Sequence, residues 1–184
     1  GDIETVEQLD KYNWPSADWF DYSKISATCD KYPGYAKIAT GITPGYYHLL
    51  LAGMEKMLID YATNEELVLH FMRRITDYYL AHFGRVFEAA EGKLDMCDIT
   101  DDFGSQNGLL FSMDMFRKYF KPYYKELSAM ARHYNLKVFH HDDGSIIELI
   151  PELIECGIDI LNPVQWKCEG MDRQILKEKL YTVC

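Results

Sequence analysis

Four times along this chain, a short strand-like run gives way to a polar loop and then to a helix-like stretch. The strand-like runs occupy residues 36–40, 94–100, 136–140 and 158–161. A fifth run opens at residues 181–184. Strands that alternate with helices through short loops predict a parallel sheet with helices outside it, which is the α/β class.

Helical periodicity is predicted over five stretches, at residues 46–61, 64–90, 112–134, 145–156 and 171–180. Asn64 and Ser112 suit the cap position at a helix start, and Gly157 suits a helix end. Pro122 lies inside the third stretch and removes a backbone donor, so we expect a kink or a break near Tyr119.

With 184 residues and 48% hydrophobic content, the chain can bury one sizeable core, which predicts a single domain. Residues 1–34 show no sustained period and are predicted to be a lead-in segment, and residues 35–184 carry the strand–helix units. A complete barrel of eight units needs about 250 residues, whereas an open five-stranded sheet could fit. The ending inside a strand favours a partial barrel.

The charge and the cysteines exclude several classes of function. The formal net charge of −10 would repel a polyanion, so we expect no nucleic-acid binding. No apolar run approaches the roughly 18 residues of a membrane-spanning helix, so we expect a cytoplasmic protein without membrane contact. Five cysteines without close pairing predict reduced thiols rather than a disulfide framework.

Polar side chains cluster where two of the predicted strands end. The third strand leads into two imidazoles and two carboxylates, and the second into two carboxylates: His140, His141, Asp142 and Asp143, and Asp101 and Asp102. The carboxyl ends of parallel strands meet at one face of the sheet. We therefore expect these metal ligands or proton carriers to form one reaction centre.

Five sequence stretches, in this order, resemble the superfamily of uroporphyrinogen decarboxylase and the related corrinoid-dependent methyltransferases. They are residues 39–45, 101–106, 112–122, 138–145 and 158–165. The resemblance runs from about residue 5 to residue 184. It implies an eight-stranded (β/α)8 TIM barrel of which this chain holds about five strands, truncated at both ends.

The resemblance also implies a metal site. In the methyltransferase branch, the corresponding strand ends in a His-x-Cys-Gly sequence that supplies zinc ligands, with a further cysteine nearer the carboxyl terminus. Here His141 takes the histidine position and Asp143 the cysteine position. A carboxylate in place of a thiolate lowers the preference for soft ions. The pair could still bind a divalent ion, with zinc as the first expectation and iron or manganese as alternatives. The alternative is that Asp142 and Asp143 cap the following helix.

The remaining site predictions fall into two groups. Catalytic acid–base roles are predicted for Asp101, Asp102, His140 and Asp142. Loop solvation or a turn-stabilising bond is the alternative for the first two. Substrate contacts are predicted for loop residues Tyr46, Gln106, Asn162, Gln165 and Trp166. Packing of Tyr46 at its helix start, and hydrogen bonding of the others to loop backbone, are the alternatives.

Three functions are compatible with these residues. The first is a metal-assisted methyltransferase for a small molecule, with a separate corrinoid protein as the methyl carrier. The second is uroporphyrinogen decarboxylation, which ranks lower because the acidic loops would repel a polycarboxylated substrate and the arginine-rich motif of that branch is absent from this sequence. The third is a non-catalytic binding module for a small ligand. Assembly as a homodimer stays open.

Overall fold

A computed structural model describes residues 3–180 of the chain, with side chains described as far as residue 178. In this part of the chain a parallel sheet of four strands is surrounded by α-helices. The strands are β1 (Ile38–Ile42), β2 (Met96–Ile99), β3 (Lys137–His141) and β4 (Ile160–Asn162). The predicted fifth strand at residues 181–184 lies outside the described residues.

The strands lie side by side in the order in which they occur along the chain, and every neighbouring pair is parallel. A doubly wound sheet reverses its strand order at a switch point, whereas a barrel adds each new strand to the same edge. The observed order is therefore that of half of an eight-stranded barrel. The predicted α/β class and partial barrel are confirmed.

The helices fill the connections between the strands and the segment before them. They are α1 (Val6–Asp10), α2 (Ile25–Asp30), α3 (Pro44–Ala52), α4 (Met54–Thr63), α5 (Glu65–Ala89), α6 (Met113–Tyr119), α7 (Lys121–His133), α8 (Ile150–Cys156) and α9 (Arg173–Leu180). A short 3-10 helix, Ala17–Trp19, lies between α1 and α2. Within the described residues no helix has the length and apolar character needed to cross a membrane.

Helix α5 organises the core because one of its faces is apolar over its whole length. The Asn64 side chain accepts a hydrogen bond from Leu67 N and caps its start, as predicted. The buried face consists of Leu67, Val68, Phe71, Met72, Ile75, Thr76, Tyr79, Phe83 and Phe87. Spacings of three and four residues place these side chains on one stripe, which packs against α3, α4 and α7.

Several predicted boundaries are wrong, and three of them are explained by specific contacts or turns. The single helix predicted at residues 46–61 is two helices, because the backbone turns at Gly53 with φ of 83°. The first strand lies two residues later than predicted, and Gly41 N within it donates to the Asp98 carboxylate of β2. The helix predicted from Ser145 begins only at Ile150.

Ser145 does not start a helix because its polar groups have other partners. Its backbone N–H donates to Ser105 O at 2.7 Å, and its hydroxyl donates to Glu169 O at 2.5 Å. These bonds hold residue 145 in a loop. The break predicted near Pro122 is confirmed, since α6 ends at Tyr119 and α7 begins with Pro122 in its first turn.

Candidate metal centre and active site

Two strand-end loops touch through their backbones, and glycine makes this contact possible. A Cβ atom at position 104, after β2, would lie 2.4 Å from Asp143 O. A Cβ atom at position 144, after β3, would lie 2.6 Å from Gly104 C, and Gly144 also has φ of +100°. Any larger residue at either position would push the loops apart, so these glycines set the spacing of the acidic groups.

The side chains of Asp102, His141 and Asp143 converge at this contact. Each offers one ligand atom, and the three atoms lie within 4.8 Å of one another. Asp143 N donates to Asp102 Oδ1 at 3.0 Å, which ties the two loops together. Asp102 is exposed and the other two side chains are partly exposed, so the group opens to solvent. We call these three residues the metal triad.

Two carboxamides hold the metal triad from the β4 side. His141 Nδ1 lies 3.2 Å from Asn162 Oδ1, which can only accept, so the ring proton is on Nδ1 and the Nε2 lone pair is free. Gln165 Nε2 donates to Asp143 Oδ1 at 2.7 Å. Its other amide atom, Oε1, accepts from Gly144 N at 2.9 Å and from Cys168 Sγ at 3.3 Å.

The donor set fits a divalent cation. Two carboxylates and one neutral imidazole are ligands that zinc, manganese and ferrous iron accept, and three protein ligands leave positions open for a substrate. The His141 Nε2 atom lies 3.9 Å from Asp143 Oδ1, so small side-chain adjustments bring both onto one ion. Hydrogen bonds to metal ligands, here from Asn162 and Gln165, are typical of metal sites.

A small pocket adjoins the metal triad and shares Asp102 with it. Its volume is about 110 Å³, and its other lining residues are Gly45, Tyr46, Leu49, Met54, Met57, Asp101, Phe103, Leu110, Phe111 and Phe120. Most of these side chains are apolar, and aromatic rings come from α3, the loop after β2, and the residue between α6 and α7. We call this cavity the aromatic pocket.

Asp101 is the buried carboxylate of the aromatic pocket. Its oxygens accept hydrogen bonds from Gly45 N at 3.1 Å, Tyr46 N at 2.7 Å and the Tyr124 hydroxyl at 2.8 Å. Burial raises the pKa of Asp101 to about 7, against the lowering effect of these three donors. A Cβ atom at Gly45 would lie 3.2 Å from the carboxylate, so glycine permits this close approach.

The comparison with protein families decides the classification. Residues 47–179, well over half of the chain, match the family model described as uroporphyrinogen decarboxylase (URO-D). The chain belongs to the uroporphyrinogen decarboxylase family. This result confirms the superfamily that the sequence stretches indicate.

A solved structure shares the fold of this uroporphyrinogen decarboxylase family member. It is a methyltransferase from Methanosarcina mazei, with a TM-score of 0.59 and 18% sequence identity. The similarity covers 74% of this chain and 39% of the methyltransferase chain, so this chain spans well under half of that protein's length. No curated protein sequence matches the chain. At this level of identity the likeness concerns the fold alone.

His140 and Asp142 lie beneath the metal triad, sealed from solvent. His140 Nδ1 donates to Ile99 O at 2.5 Å, and its Nε2 lies 3.4 Å from Asp142 Oδ2. Asp142 Oδ1 accepts from Phe103 N and Gly104 N. Burial raises the pKa of Asp142. These contacts hold the loop after β2 in place.

The alternative role of Asp142 and Asp143 as helix caps is wrong. Helix α8 begins at Ile150, and its cap position, Leu149, makes no side-chain capping bond. Both carboxylates instead accept bonds from the neighbouring loops. The loop between β3 and α8 is therefore built around the two acidic side chains rather than around a helix start.

The predicted substrate contacts separate into three groups in the structure. Tyr46 lines the aromatic pocket, whereas Asn162 and Gln165 contact the metal triad. Gln106 accepts a weak bond from the buried Cys168 thiol at 3.6 Å. Trp166 is 46% exposed, and the Arg173 guanidinium lies 4.8 Å from its ring centroid. Neither Gln106 nor Trp166 lines the aromatic pocket.

Sequence reasoning missed two contributors to the site, Tyr124 and Cys168, and assigned a different role to a third, Asp102. Asp102 was predicted to act in acid–base chemistry, but its position in the metal triad depends on the glycine contact between the loops. Tyr124 lies on α7, and no sequence pattern connects its hydroxyl with Asp101. Cys168 follows Gln165 by three residues, which is the signal that could have linked the two.

Proposed function

We propose that this chain carries the metal centre of a metal-assisted methyltransferase that acts on a small molecule with a corrinoid protein as methyl carrier. The convergence of Asp102, His141 and Asp143 supports the proposal most directly. The triad lies where parallel strands end, which is where barrel enzymes place their chemistry. The family and the shared fold with a methyltransferase are consistent with this assignment.

Each side chain at the centre has a defined task in this proposal. A bound divalent ion would supply Lewis acidity toward the group that loses or receives the methyl group. Asn162 keeps the His141 Nε2 lone pair available as a ligand, and Gln165 fixes the direction of the Asp143 carboxylate. The aromatic pocket next to Asp102 excludes water from the reacting group.

The charge of the site favours methyl transfer over decarboxylation of a polycarboxylate. The two carboxylates of the triad would neutralise a divalent ion, and Asp101 adds a further acidic group. None of the described residues that line the aromatic pocket is a lysine, arginine or histidine. A substrate with many carboxylates would meet repulsion there and no cationic partner.

Uroporphyrinogen decarboxylation is the second candidate, because the matching family model carries that description. Asp101 is the residue that could serve it, since a buried carboxyl with a pKa of about 7 can exchange protons near neutral pH. This reaction needs no metal. The two candidates therefore differ in whether loss of His141 affects the reaction.

The test is methyl transfer to added cob(I)alamin, followed by absorbance, with a panel of methyl donors and with zinc or manganese present. We expect turnover by the wild-type chain and its loss in His141→Ala. His133→Ala is the control, because His133 is exposed on α7 and remote in sequence from the triad. If His141→Ala and His133→Ala convert uroporphyrinogen equally well, the methyltransferase proposal is refuted in favour of decarboxylation. Ligand binding without turnover in either assay would favour a binding module.

We also propose a cytoplasmic location. The four cysteines in the described part of the chain are free and buried, as is typical of proteins in reducing compartments. Labelling of the purified native protein with a thiol reagent under denaturing conditions tests this. Five reactive thiols are expected, and blocked thiols would contradict the location.

A further inference from the structure

The aromatic pocket combines aromatic faces with negative charge. Four of its lining residues are aromatic, namely Tyr46, Phe103, Phe111 and Phe120. The face of an aromatic ring carries negative electrostatic potential and attracts cations. Asp101 and Asp102 add carboxylates to the same wall, and no basic side chain is among the described lining residues. The cavity is therefore suited to a positively charged group.

Asp101 places a further carboxyl group beside the metal triad. A divalent ion would be offset by the carboxylates of Asp102 and Asp143, which leaves the triad without formal net charge. The Asp101 carboxyl group accepts three hydrogen bonds, from Gly45 N, Tyr46 N and the Tyr124 hydroxyl. The acidic wall of the pocket therefore has no cationic partner among its lining residues.

The hydrogen-bonding groups of the pocket indicate which cation fits. An ammonium group carries donors that need acceptors, and burying them unpaired is costly. Both Asp101 oxygens already accept bonds from the protein, and the remaining walls are mainly apolar. A fully methylated ammonium has no N–H donor to satisfy. At about 110 Å³ the pocket is also well below the roughly 300–1,000 Å³ of ordinary ligand sites.

We propose that the aromatic pocket binds a small methylated ammonium head group, which is the substrate class of the adjoining metal centre. This inference rests on the proposed function. In the transfer step, the C–N bond breaks, its electron pair stays on the departing neutral amine, and the methyl group bonds to the nucleophilic corrinoid acceptor. Asp101 and the aromatic rings bind the cation, while the triad lies beside it through the shared residue Asp102.

The test compares two ligands of the same shape and different charge. Choline and 3,3-dimethylbutan-1-ol differ in that a quaternary nitrogen in the first is a carbon in the second. Calorimetric titration of the chain, with and without zinc, should show choline bound at least about tenfold more tightly. Ammonium chloride should bind more weakly than choline, because both Asp101 oxygens already accept bonds from the protein and ammonium has no methyl groups to contact the rings.

Variants of Tyr46 test the contribution of the rings. Tyr46 is 48% exposed, so its replacement need not disturb the core. Tyr46→Leu should weaken choline binding by about threefold to tenfold, whereas Tyr46→Phe keeps the ring and should retain it. Tyr35→Leu is the matched control, since Tyr35 is 72% exposed and does not line the pocket. Thermal unfolding of each variant checks that it is folded.

The outcomes separate this inference from the proposed function. Equal binding of the two isosteres, or binding of neither, overturns the pocket assignment, even if zinc binds the triad stoichiometrically. Choline selectivity that persists in His141→Ala, together with loss of zinc, supports the pocket as a separate binding element. Choline selectivity in a wild-type chain that binds no metal supports the pocket and refutes the metal centre.

Discussion

Replacement of Gln165 by leucine isolates the effect of positioning a metal ligand. Gln165→Leu removes the 2.7 Å bond from Nε2 to Asp143 Oδ1 but leaves all three triad residues in place. Losing a hydrogen bond that orients a metal ligand typically lowers affinity by about tenfold to hundredfold. The Asp143 side chain is 49% exposed, so water can partly replace the amide. We therefore expect the lower end, about tenfold, or ~1.4 kcal/mol.

The same substitution should also lower the stability of the metal-free chain. Gly144 N donates to Gln165 Oε1 at 2.9 Å and lies in a buried loop. Leaving a buried backbone donor without its partner costs about 1–3 kcal/mol. Urea denaturation of the metal-free protein measures this free energy, and it also shows whether the variant is folded at the temperature of the metal titration.

The assay is zinc competition against a chromophoric chelator at fixed pH. Gln106→Leu is the control, because Gln106 contacts the Cys168 thiol in the same loop cluster but contacts no member of the triad. We expect wild-type zinc affinity in Gln106→Leu and about tenfold weaker binding in Gln165→Leu. Equal affinity of all three proteins, or equal loss in both variants, would refute the positioning role of Gln165.

Three further perturbations test other parts of the account. Burial lowers the pKa of His48 to about 4, so as pH falls from 6.5 to 4.5 only the unfolded state takes up the proton. The unfolding free energy of the wild-type chain should then fall by ~2.5 kcal/mol over this pH range. An equal fall in His48→Gln would contradict this prediction. Gly104→Ala should destabilise by about 2–3 kcal/mol, because its Cβ would lie 2.4 Å from Asp143 O. Gly84→Ala is the control, because its Cβ would have no protein atom outside its own helix nearer than 4.0 Å. It should raise the unfolding free energy by about 0.5–1 kcal/mol in urea denaturation. A less stable Gly84→Ala than Gly104→Ala would refute the loop geometry. Asp143→Cys should raise the zinc-over-manganese preference in competitive titration, and an unchanged ratio would exclude Asp143 as a ligand.

The sheet could be predicted from the sequence because its signals are local and repeated. Apolar runs followed by polar loops identify the strands, and parallel geometry then places their ends together. Helix boundaries were harder to predict where a glycine turn or a set of tertiary contacts overrides the helical pattern. Gly53 lies between two good helix-forming stretches, and Ser145 is a good cap residue whose bonds go to other loops. Gly53 itself turns the backbone, whereas the outcome at Ser145 depends on contacts that the local sequence does not show.

The candidate site was predictable in position but not in its internal geometry. His141 and Asp143 are two residues apart at a strand end, so their proximity follows from the chain itself. Asp102 joins them only because Gly104 and Gly144 let two loops touch. Contacts between residues about forty positions apart depend on packing, which a single sequence does not specify.

Metal stoichiometry at the triad tests the central claim most directly. The wild-type chain and His141→Ala would be loaded with zinc or manganese, dialysed, and analysed for metal per chain, with circular dichroism to confirm equal folding. The account predicts about one ion per wild-type chain and none in the variant. A wild-type chain without metal, or equal metal content in the two proteins, would contradict it.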